Sequence, residues 1–534
     1  MGAKSKFAAD GCDINSLDEP GTKTRAGHYS FLTRNFTTSY GYDKASNRTS
    51  FSDPESGSTA YVYDTLNRLQ TLTPPAAISG GSFGFGYDAL SRRTSLTRPN
   101  AVNTAYSYDN LSRLLGVTHA NGGVTLDGAT YTVDNAGNRN SKADLHAGVT
   151  TNYGYDNIYD LLSATQGTNT TESYTYDPVG NRLTSIAGSW NTNTSNELSS
   201  SPTATYTFDY NGNTLTKTDS TGTTNYTWDF ENRLTSVTLP GSGGTVSFKY
   251  DPFGRRIYKS SSSGTSVYAY DGDNLVEETN ATGGVVARYS QGLNIDEPLA
   301  MLRSSATSYY QADGLGSVTS LTNTAGTAAE NYTYDSFGNI IATSGSLVNS
   351  FRYTGREWDT ETSLYYYRAR YYDAPSGRFI SEDPIGFQGG ANFYVYVSDE
   401  PTGYVDPFGE IRYNKPPPIT VPVTGQTLAA LQCLEHCLQC VTNNSNLNLY
   451  VSGGAEQSGH SKNSFHYKGQ AVDISFYNPV ATNDVFRCGA YCGFSAGQAE
   501  PAKHHWHLQL TPGNGVPPLP AMLPMQPPCK DGCK

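Results

Sequence analysis

The 534-residue chain is poor in charged residues and has no long hydrophobic run. Only 16% of its residues are charged and 12% are aromatic. This balance argues against intrinsic disorder, because disordered chains lack the apolar material that offsets the entropy of folding. No apolar run reaches the roughly 18 residues of a transmembrane helix, and the first twenty residues lack the apolar stretch of a signal peptide. We therefore expect a folded chain without a membrane span.

Positive charge is also scarce. The chain carries 36 Lys and Arg against 48 Asp and Glu, a net charge of -12, and has no lysine- or arginine-rich run. Such a chain has no global attraction to phosphate backbones, so we expect no nucleic acid partner. The length allows several hydrophobic cores and hence more than one domain.

A short motif recurs along the first half of the chain at intervals of about 21 residues. Most copies continue alike, as in YDTLNRLQTLT, YDALSRRTSLT and YDPVGNRLTSI. Asp, Gly and Asn favour turns and the flanking residues alternate, so each unit predicts a β-hairpin. One hairpin cannot bury its own apolar face, so we expect the hairpins to join in a curling sheet with tyrosines packed between repeats. The motif aspartates are Asp43, Asp64, Asp88, Asp109, Asp134, Asp156, Asp177, Asp209, Asp229, Asp251 and Asp271.

These motifs resemble the RHS/YD-repeat family. Residues 37–300 are similar to its repeats, and residues 301–410 resemble its associated core through FRYTGREWDTETSLYYYRARYYDAPSGRFISEDPIG and NFYVYVSDEPTGYVDPFG. The resemblance implies a hollow β-shell around a variable C-terminal cargo, often a toxin, with the core closing one end. The array is short for such a shell, so we expect that residues 1–36 continue from a longer protein.

Two DPxG motifs in the core contain Asp383 and Asp406. Two carboxyl groups held close together cannot both ionise, so one retains a proton and the pair can act as acid and base on a peptide bond. In resembling proteins such a pair cleaves the chain after the second motif, which implies self-cleavage at the 410/411 bond. The family's leucine before that bond is replaced by Glu410. The alternative is that both aspartates only form turns before proline.

The composition changes after residue 410. Residues 411–426 form a proline-rich linker, which is stiff and cannot enter the interior of a sheet. Seven of the eight cysteines and six of the nine histidines lie between residues 411 and 534, which predicts a separate domain at 427–534. TLAALQCLEHCLQCVTN has leucines at helical spacing, while LNLYVSG and HHWHLQL alternate as strands. We expect a small α+β domain.

The spacing of histidines and a carboxylate in this domain predicts a zinc site. His466 and Asp473 lie seven residues apart, and small residues between them allow a turn into a strand. His505 and His507 share one face of a second predicted strand. Two imidazoles and one carboxylate leave the fourth tetrahedral position of Zn²⁺ to a water, whose pKa the metal lowers to about 7. The chemistry indicated is amide hydrolysis.

Residues 445–511 resemble the zinc peptidases of the D-Ala-D-Ala carboxypeptidase, lysostaphin and hedgehog fold group. The resemblance rests on SFHYKGQAVDI and the later HWH. It implies that zinc is held by His466, Asp473 and His507.

The same resemblance assigns roles around the metal. His505 and His460 are implied as polar groups near the substrate oxyanion. The catalytic base is implied at Glu500, with a one-residue insertion relative to hedgehog-type members. His505 is the alternative base, since the unperturbed pKa of histidine suits proton transfer at neutral pH.

The seven cysteines of the tail form three CxxxC pairs and one single residue. Side chains four residues apart in a helix point in parallel and bridge badly, so we expect disulfides between pairs, in an oxidising compartment. A second, structural zinc held by two pairs is the alternative. Cys12 has no evident partner. The candidates are Cys433, Cys437, Cys440, Cys488, Cys492, Cys529 and Cys533.

The sequence thus predicts a mainly β protein, in which a YD-repeat hairpin sheet curls into a partial shell and a small α+β zinc peptidase-like domain follows. The predicted function is a secreted or surface-bound RHS-type toxin whose tail, a D,D-carboxypeptidase or endopeptidase, hydrolyses peptidoglycan stem peptides in the cell envelope or periplasm. An immunity protein is an expected partner. The alternative is a cell-surface adhesion or signalling protein with a non-catalytic, hedgehog-like zinc-binding tip.

Overall fold

A computed structural model describes residues 35–410, together with the backbone of short strands at 4–8, 413–414, 450–453, 471–475, 496–500 and 505–509. Within these residues the chain forms 42 β-strands and three short 3₁₀ helices. Every strand pair is antiparallel, and the two large sheets are simple meanders in which each strand pairs with the next along the chain. The predicted mainly β architecture is confirmed for the described residues.

The first sheet contains sixteen strands. Its strands are β1 (Lys4–Ala8), β2 (Asn35–Tyr42), β3 (Arg48–Ser52), β4 (Ser58–Tyr63), β5 (Leu69–Thr73), β6 (Phe83–Tyr87), β7 (Arg93–Thr97), β8 (Val102–Tyr108), β9 (Leu114–Asn121), β10 (Val124–Val133), β11 (Arg139–Asp144), β12 (Val149–Tyr155), β13 (Leu161–Gln166), β14 (Asn169–Tyr176), β15 (Arg182–Ser185) and β16 (Gly188–Ser189).

The second sheet also contains sixteen strands. They are β17 (Asn191–Thr192), β18 (Leu198–Ser200), β19 (Thr205–Phe208), β20 (Thr214–Asp219), β21 (Gly222–Trp228), β22 (Leu234–Thr238), β23 (Thr245–Tyr250), β24 (Arg256–Ser261), β25 (Gly264–Asp271), β26 (Asn274–Asn280), β27 (Val285–Gln291), β28 (Pro298–Arg303), β29 (Ala306–Ala312), β30 (Val318–Thr322), β31 (Ala328–Tyr334) and β32 (Ile340–Gly345). This sheet continues across the predicted repeat boundary at residue 300.

Three smaller sheets follow. A four-stranded sheet contains β33 (Glu357–Asp359), β34 (Leu364–Tyr367), β35 (Arg370–Asp373) and β36 (Arg378–Phe379), and β37 (Tyr404–Val405) pairs with β38 (Tyr413–Asn414). The tail strands β39 (Tyr450–Gly453), β40 (Ala471–Ser475), β41 (Ala496–Glu500) and β42 (His505–Gln509) form a sheet in the order β39-β40-β42-β41. The 3₁₀ helices are Tyr353–Gly355, Gly386–Gln388 and Val397–Asp399.

The aspartate of the repeat motif builds the same turn in each copy from Asp43 to Asp251. At Asp88, Oδ1 accepts hydrogen bonds from the backbone N–H groups of Leu90 and Arg92, both at 2.9 Å, and Oδ2 accepts one from Arg92 Nε at 2.6 Å. The third residue after the aspartate has a left-handed backbone, as at Ser91 with φ 60°. The predicted turn chemistry is confirmed.

The last motif copy, at Asp271, differs from the others. Asp271 pairs with Asn274 across a tight hairpin, so it does not cap a longer turn. Its carboxylate accepts hydrogen bonds from Tyr40 and Arg48 of the first sheet, at 2.9 and 2.5 Å. This copy therefore joins the two sheets.

In at least five copies the tyrosine of the motif joins its repeat to the one before it. The Tyr87 hydroxyl donates a hydrogen bond to the backbone carbonyl of Leu69 at 2.6 Å, and Leu69 is itself the ladder partner of the preceding motif tyrosine, Tyr63. The predicted packing of tyrosines between repeats is confirmed. The same bond runs from Tyr63 to Arg48, from Tyr108 to Arg93, from Tyr155 to Arg139 and from Tyr250 to Leu234.

The two large sheets pack face to face. Leu72 and Phe83 of the first sheet belong to one buried cluster with Ala300 and Tyr309 of the second. Buried ion pairs add to this interface, for example between Arg93 and Glu297, and between Arg288 and Asp53. Nearer to β14 and β31 the sheets separate around a cavity of about 660 Å³. This volume is in the range of small-ligand pockets and far below that of a folded domain.

Residues 357–410, which follow the second sheet, pack against both large sheets. Tyr371 on β35 contacts Phe248 of the second sheet, with ring centroids 5.4 Å apart. Asn392 donates a hydrogen bond to the side-chain oxygen of Asn181, in a turn of the first sheet, at 2.9 Å. The segment therefore covers strands of both sheets.

Several sequence predictions fall outside the described residues. They concern the linker at 411–426 apart from the two residues of β38, the helix at 427–443, all the cysteines, His460 and His466. These remain predictions.

The turn geometry predicts the effect of removing one motif carboxylate. Asp88→Ala deletes two backbone hydrogen bonds and the ion pair with Arg92, so we expect the local free energy of opening to fall by about 1–3 kcal/mol. Hydrogen exchange of the turn at residues 88–92, followed by mass spectrometry, measures this change. Asp88→Asn retains an acceptor and should lose less protection. Equal exchange in all three proteins would contradict the assigned role.

Candidate functional site

Asp383 and Asp406 of the two DPxG motifs converge on one buried arginine. Arg370 lies at the start of β35, and its guanidinium nitrogen is 2.8 Å from Asp383 Oδ2 and 3.5 Å from Asp406 Oδ2. All three side chains are buried. The same guanidinium lies over the ring of Phe379, 3.6 Å from its centroid. The structure therefore brings the two predicted aspartates to one site.

The turn between β34 and β35 holds the second motif in place. The backbone carbonyls of three consecutive residues accept hydrogen bonds from three consecutive residues of this turn. The Arg368 side chain donates to the carbonyl of Pro407, the Ala369 N–H donates to that of Phe408 at 3.0 Å, and Arg370 Nε donates to that of Gly409. The chain is thus held in place up to residue 409, and one residue, Glu410, separates it from the predicted cleavage bond.

The two aspartates have different surroundings. Burial raises the pKa of Asp383 to about 7, and the Asp406 and Glu410 charges act in the same direction while Arg370 opposes them. Asp406 Oδ1 accepts hydrogen bonds from the backbone N–H groups of Gly409 and Glu410, at 2.8 and 3.0 Å. Hydrogen bonds of this kind favour the ionised carboxylate. The site can therefore hold one protonated and one ionised carboxyl group.

Both aspartates also form turns, as the alternative interpretation predicts. Asp383 Oδ1 accepts the N–H of Ile385 at 3.0 Å, and the carbonyl of Asp383 accepts the N–H of Gly386 at 2.9 Å. A role in turns and a role as a carboxyl pair are compatible in this geometry.

Arg370 was not singled out from the sequence. It lies in YYYRARYYD, where a charged residue is surrounded by aromatic residues on two short strands. An arginine in such an aromatic segment needs a buried anionic partner, and that pattern is the signal that could have identified it.

Part of the predicted zinc site lies on the tail sheet. Asp473 on β40 is directly opposite His507 on β42, and Glu500 on β41 is directly opposite His505. Opposite residues of an antiparallel pair share a face of the sheet, as do residues two apart on one strand. These four positions therefore lie on one face of the sheet.

The rest of the predicted ligand set is not described. His466 and the oxyanion candidate His460 lie outside the described residues. Among the side chains that the structure does describe, no group of three His, Cys, Asp or Glu residues is arranged to hold a metal ion. The zinc ligands remain a prediction that the strand register supports in part.

A second pair of carboxyl groups lies beside the cavity between the large sheets. Glu172 on β14 accepts hydrogen bonds from the backbone N–H of Ser336 at 3.1 Å, from its hydroxyl at 3.0 Å, and from Tyr174 at 3.0 Å. The neighbouring Asp335 accepts the N–H groups of its own turn. Burial first, and then the Glu172 charge, raise the pKa of Asp335 to about 7. At this contact between the two sheets, the raised pKa favours a protonated Asp335 carboxyl group up to about pH 7.

Among the described residues, no helix is long and apolar enough to cross a membrane.

Family comparisons identify the repeat region. Residues 140–389 match the family "Teneurin YD-shell", and residues 87–124 match "RHS Repeat". These matches confirm that this part of the chain is an RHS/YD-repeat shell, as its motifs predicted.

Similar proteins include two large curated relatives. The "tRNA3(Ser)-specific nuclease WapA" of Bacillus spizizenii is 32% identical over 273 residues, which is 48% of this chain and 12% of that protein. The "Double-stranded DNA deaminase toxin A" of Burkholderia cenocepacia is 28% identical over 205 residues, 36% of this chain and 14% of that protein. The chain thus spans less than a sixth of either relative. The similarity lies in the shell and leaves out the tail.

A solved structure shares the fold. The structure described as "TcdB2-TccC3-TEV" is 22% identical, has a TM-score of 0.61, and covers 77% of this chain and 23% of its own. The two meander sheets therefore share the fold of part of that structure.

The inter-sheet carboxyl pair predicts a pH-dependent stability. The pKa of Asp335 is raised from 3.8 to about 7 on folding, so the folded state binds this proton more tightly than the unfolded state. The resulting contribution to the free energy of unfolding is fully present below about pH 4 and is lost as the pH rises toward 7. We expect the thermal midpoint to fall between pH 5 and pH 8, and to fall less in Glu172→Gln, which removes the like charge. Glu231→Gln, on the exposed rim, is the control. An identical pH dependence in wild type and Glu172→Gln would contradict this assignment.

Proposed function

We propose that this chain belongs to an RHS-type toxin that carries a zinc-dependent peptidase, with peptidoglycan stem peptides as the substrate class. The observation that carries the proposal is the register of the tail sheet, which sets Asp473 opposite His507 and Glu500 opposite His505. A ligand pair and a candidate base thereby occupy one face of one small sheet.

Asp473 and His507 on this face, together with His466 from the sequence, fit a zinc site in donor type. These three residues would hold the ion, which when bound would supply an acidified water and a polarised carbonyl. Glu500 would accept the proton of the attacking water and return it to the leaving amine. His505, directly opposite Glu500, would donate a hydrogen bond to the oxyanion or serve as the alternative base.

A nucleic acid-acting toxin is the second candidate. The names of two relatives, a tRNA nuclease and a double-stranded DNA deaminase toxin, favour it and bear against our expectation of no nucleic acid partner. Their similarity is confined to the shell, so it does not carry their cargo chemistry to this tail. Residues 411–534 contain eight Lys and Arg against six Asp and Glu, which is a small excess for binding phosphate backbones.

The non-catalytic alternative remains a surface protein with a zinc-binding tip. It uses the same ligands but no base, so the role of Glu500 separates it from the peptidase. An immunity protein is an expected partner of the toxin only.

We also propose that the aspartate pair cuts the chain between Glu410 and Ile411. Asp406, as the carboxylate, takes a proton from a water whose oxygen attacks the carbonyl carbon of Glu410. Protonated Asp383 gives its proton to the nitrogen of Ile411 as the C–N bond breaks. The products are a new carboxyl group on Glu410 and a new amine on Ile411. Arg370 holds both aspartates and the carbonyl of Gly409 in position.

The zinc proposal predicts metal-dependent peptide hydrolysis. The full chain should bind one Zn²⁺ and release amino acids from muropeptides, and a chelator should abolish release. His507→Ala should lose the metal, whereas Glu500→Gln should keep it and lose at least about 100-fold in rate, since a general base contributes that much.

Two results would contradict the peptidase. Zinc binding without turnover on any muropeptide would favour the binding tip. Cleavage of tRNA or deamination of DNA by the same preparation, unaffected by His507→Ala, would favour the second candidate. Glu456→Gln, outside the proposed ligand set, is the control for general effects on the tail.

The self-cleavage proposal predicts two fragments. Intact-mass measurement of the purified chain should give masses for residues 1–410 and 411–534. Asp383→Asn and Asp406→Asn should each leave the single mass of the uncut chain, while Glu382→Gln should still be cut. A single full-length mass for the wild-type protein would refute self-cleavage, and fragments that meet at 409/410 would move the cut to the preceding bond.

A further inference from the structure

A buried histidine lies at the contact between the two large sheets. His119 on β9 is only 1% exposed and is directly opposite Thr104 on β8 and Asp127 on β10. Directly opposite residues of antiparallel strands share a face of the sheet. This face is turned toward the second sheet, because His119 Nε2 is 3.1 Å from the backbone carbonyl oxygen of Ala312 on β29.

The hydrogen bonds around His119 can run in one direction only. A carbonyl oxygen only accepts, so Nε2 carries the proton and donates to Ala312. In the neutral ring Nδ1 then accepts a hydrogen bond from the Thr104 hydroxyl at 2.8 Å, and Thr104 Oγ1 accepts one from the Arg98 guanidinium at 2.6 Å. A chain of donors therefore runs from Arg98 through Thr104 and neutral His119 to the second sheet. We call these four residues the His119 seam.

A second proton on His119 breaks this chain. It must bind at Nδ1, where the Thr104 hydroxyl already donates, so Thr104 has to turn its hydrogen away from its acceptor. The new positive charge then faces the Arg98 guanidinium across one hydroxyl oxygen. Because Arg98, Thr104 and His119 are all buried, solvent neither screens this repulsion nor replaces the lost hydrogen bond.

The carboxylate of Asp127 lies on the other side of His119 and is occupied by the second sheet. Its Oδ2 accepts hydrogen bonds from the hydroxyl groups of Thr319 and Ser320, the latter at 2.7 Å. Asp127 therefore also belongs to the contact between the sheets, and its charge is shared with two hydroxyl donors.

The remaining charged group that faces His119 is Asp313, which follows Ala312 and pairs with Lys142 at 3.1 Å. Burial lowers the pKa of His119 to about 4. The charges of Asp127 and Asp313 oppose this shift, and the charge of Arg98 adds to it. The balance of charges thus agrees with the hydrogen-bond geometry in favouring the neutral ring.

We propose that His119 is an acid-sensitive switch between the two sheets, which holds them together while it is neutral and releases the contact between β9 and β29 when a mildly acidic compartment protonates it. The inference is independent of the proposed peptidase and of the proposed self-cleavage.

The direction of the effect follows from proton linkage. His119 has its ordinary pKa of 6.5 when the seam is open and a pKa of about 4 when the seam is closed. Its contribution to stability is therefore fully present above about pH 6.5 and is lost as the pH falls toward 4. This is the opposite sense to that of Asp335. Between pH 7.5 and pH 5 the two pKa values correspond to about a 30-fold increase in opening of the seam.

Hydrogen exchange of the full chain tests this inference. Exchange of the amides of β9 and β29, followed by mass spectrometry and corrected for the intrinsic pH dependence of exchange, reports opening at pH 7.5 and pH 5. Opening should rise about 10- to 30-fold in the wild type. The rise should be absent in His119→Gln, which retains a donor for Ala312 but cannot take up a proton.

Two further variants are matched controls. Thr104→Ser keeps the hydroxyl of the seam and should retain the rise. His146→Gln removes an exposed histidine in the turn after β11 and should also retain it.

A rise in the wild type that His119→Gln removes and both controls retain supports the inference. An equal rise in the wild type and His119→Gln overturns it, and so does a wild type without a rise. If His119→Gln does not fold, deuterium uptake at the imidazole C2 position of the wild-type chain decides. Half-protonation of His119 below pH 6 supports the inference, and half-protonation at or above pH 6 overturns it.

Discussion

The hydrogen bond that recurs from motif tyrosines to the backbone carbonyl of the preceding repeat is the interaction on which the packing of successive repeats depends. Tyr87 reaches Leu69 in this way, and Tyr250 reaches Leu234. Each accepting carbonyl belongs to a residue that already pairs with the motif residue of its own repeat. Backbone hydrogen bonds join only neighbouring strands, whereas the tyrosine side chain also reaches a strand of the preceding repeat. This extra contact helps to fix the register of the next hairpin.

The motif aspartate provides the complementary constraint at the rim. Its carboxylate accepts hydrogen bonds from two backbone N–H groups of the turn and from the side chain four residues later. Without the carboxylate, these donors of the turn would be unpaired. Tyrosine and aspartate are adjacent because the tyrosine ends a strand and the aspartate begins the turn that follows. The recurrence of the dipeptide thus has a physical cause in one turn and one cross-strand contact.

Much of the shell could be predicted from this local chemistry, including the hairpins, the meander order and the tyrosine packing. The site was predicted less completely. Asp383 and Asp406 were identified by their motifs, but Arg370 was missed, because its role depends on a turn that brings it between two loops. Asp271 looked like another repeat and instead joins the two sheets. In the tail, residue spacing predicts Asp473 and His507 as ligands, but only the strand order shows that they lie directly opposite each other.

The period, the turns and the identity of the carboxyl groups follow from the sequence alone, since these depend on contacts within about one repeat. Which distant groups meet depends on the packing of the folded chain. Asp383 and Asp406 share Arg370, and Glu172 lies against the turn of Asp335 across two sheets. Such encounters depend on how whole sheets pack, and burial at those contacts sets the protonation of Asp383 and Asp335. No local pattern of residues encodes either the distance or the loss of solvent.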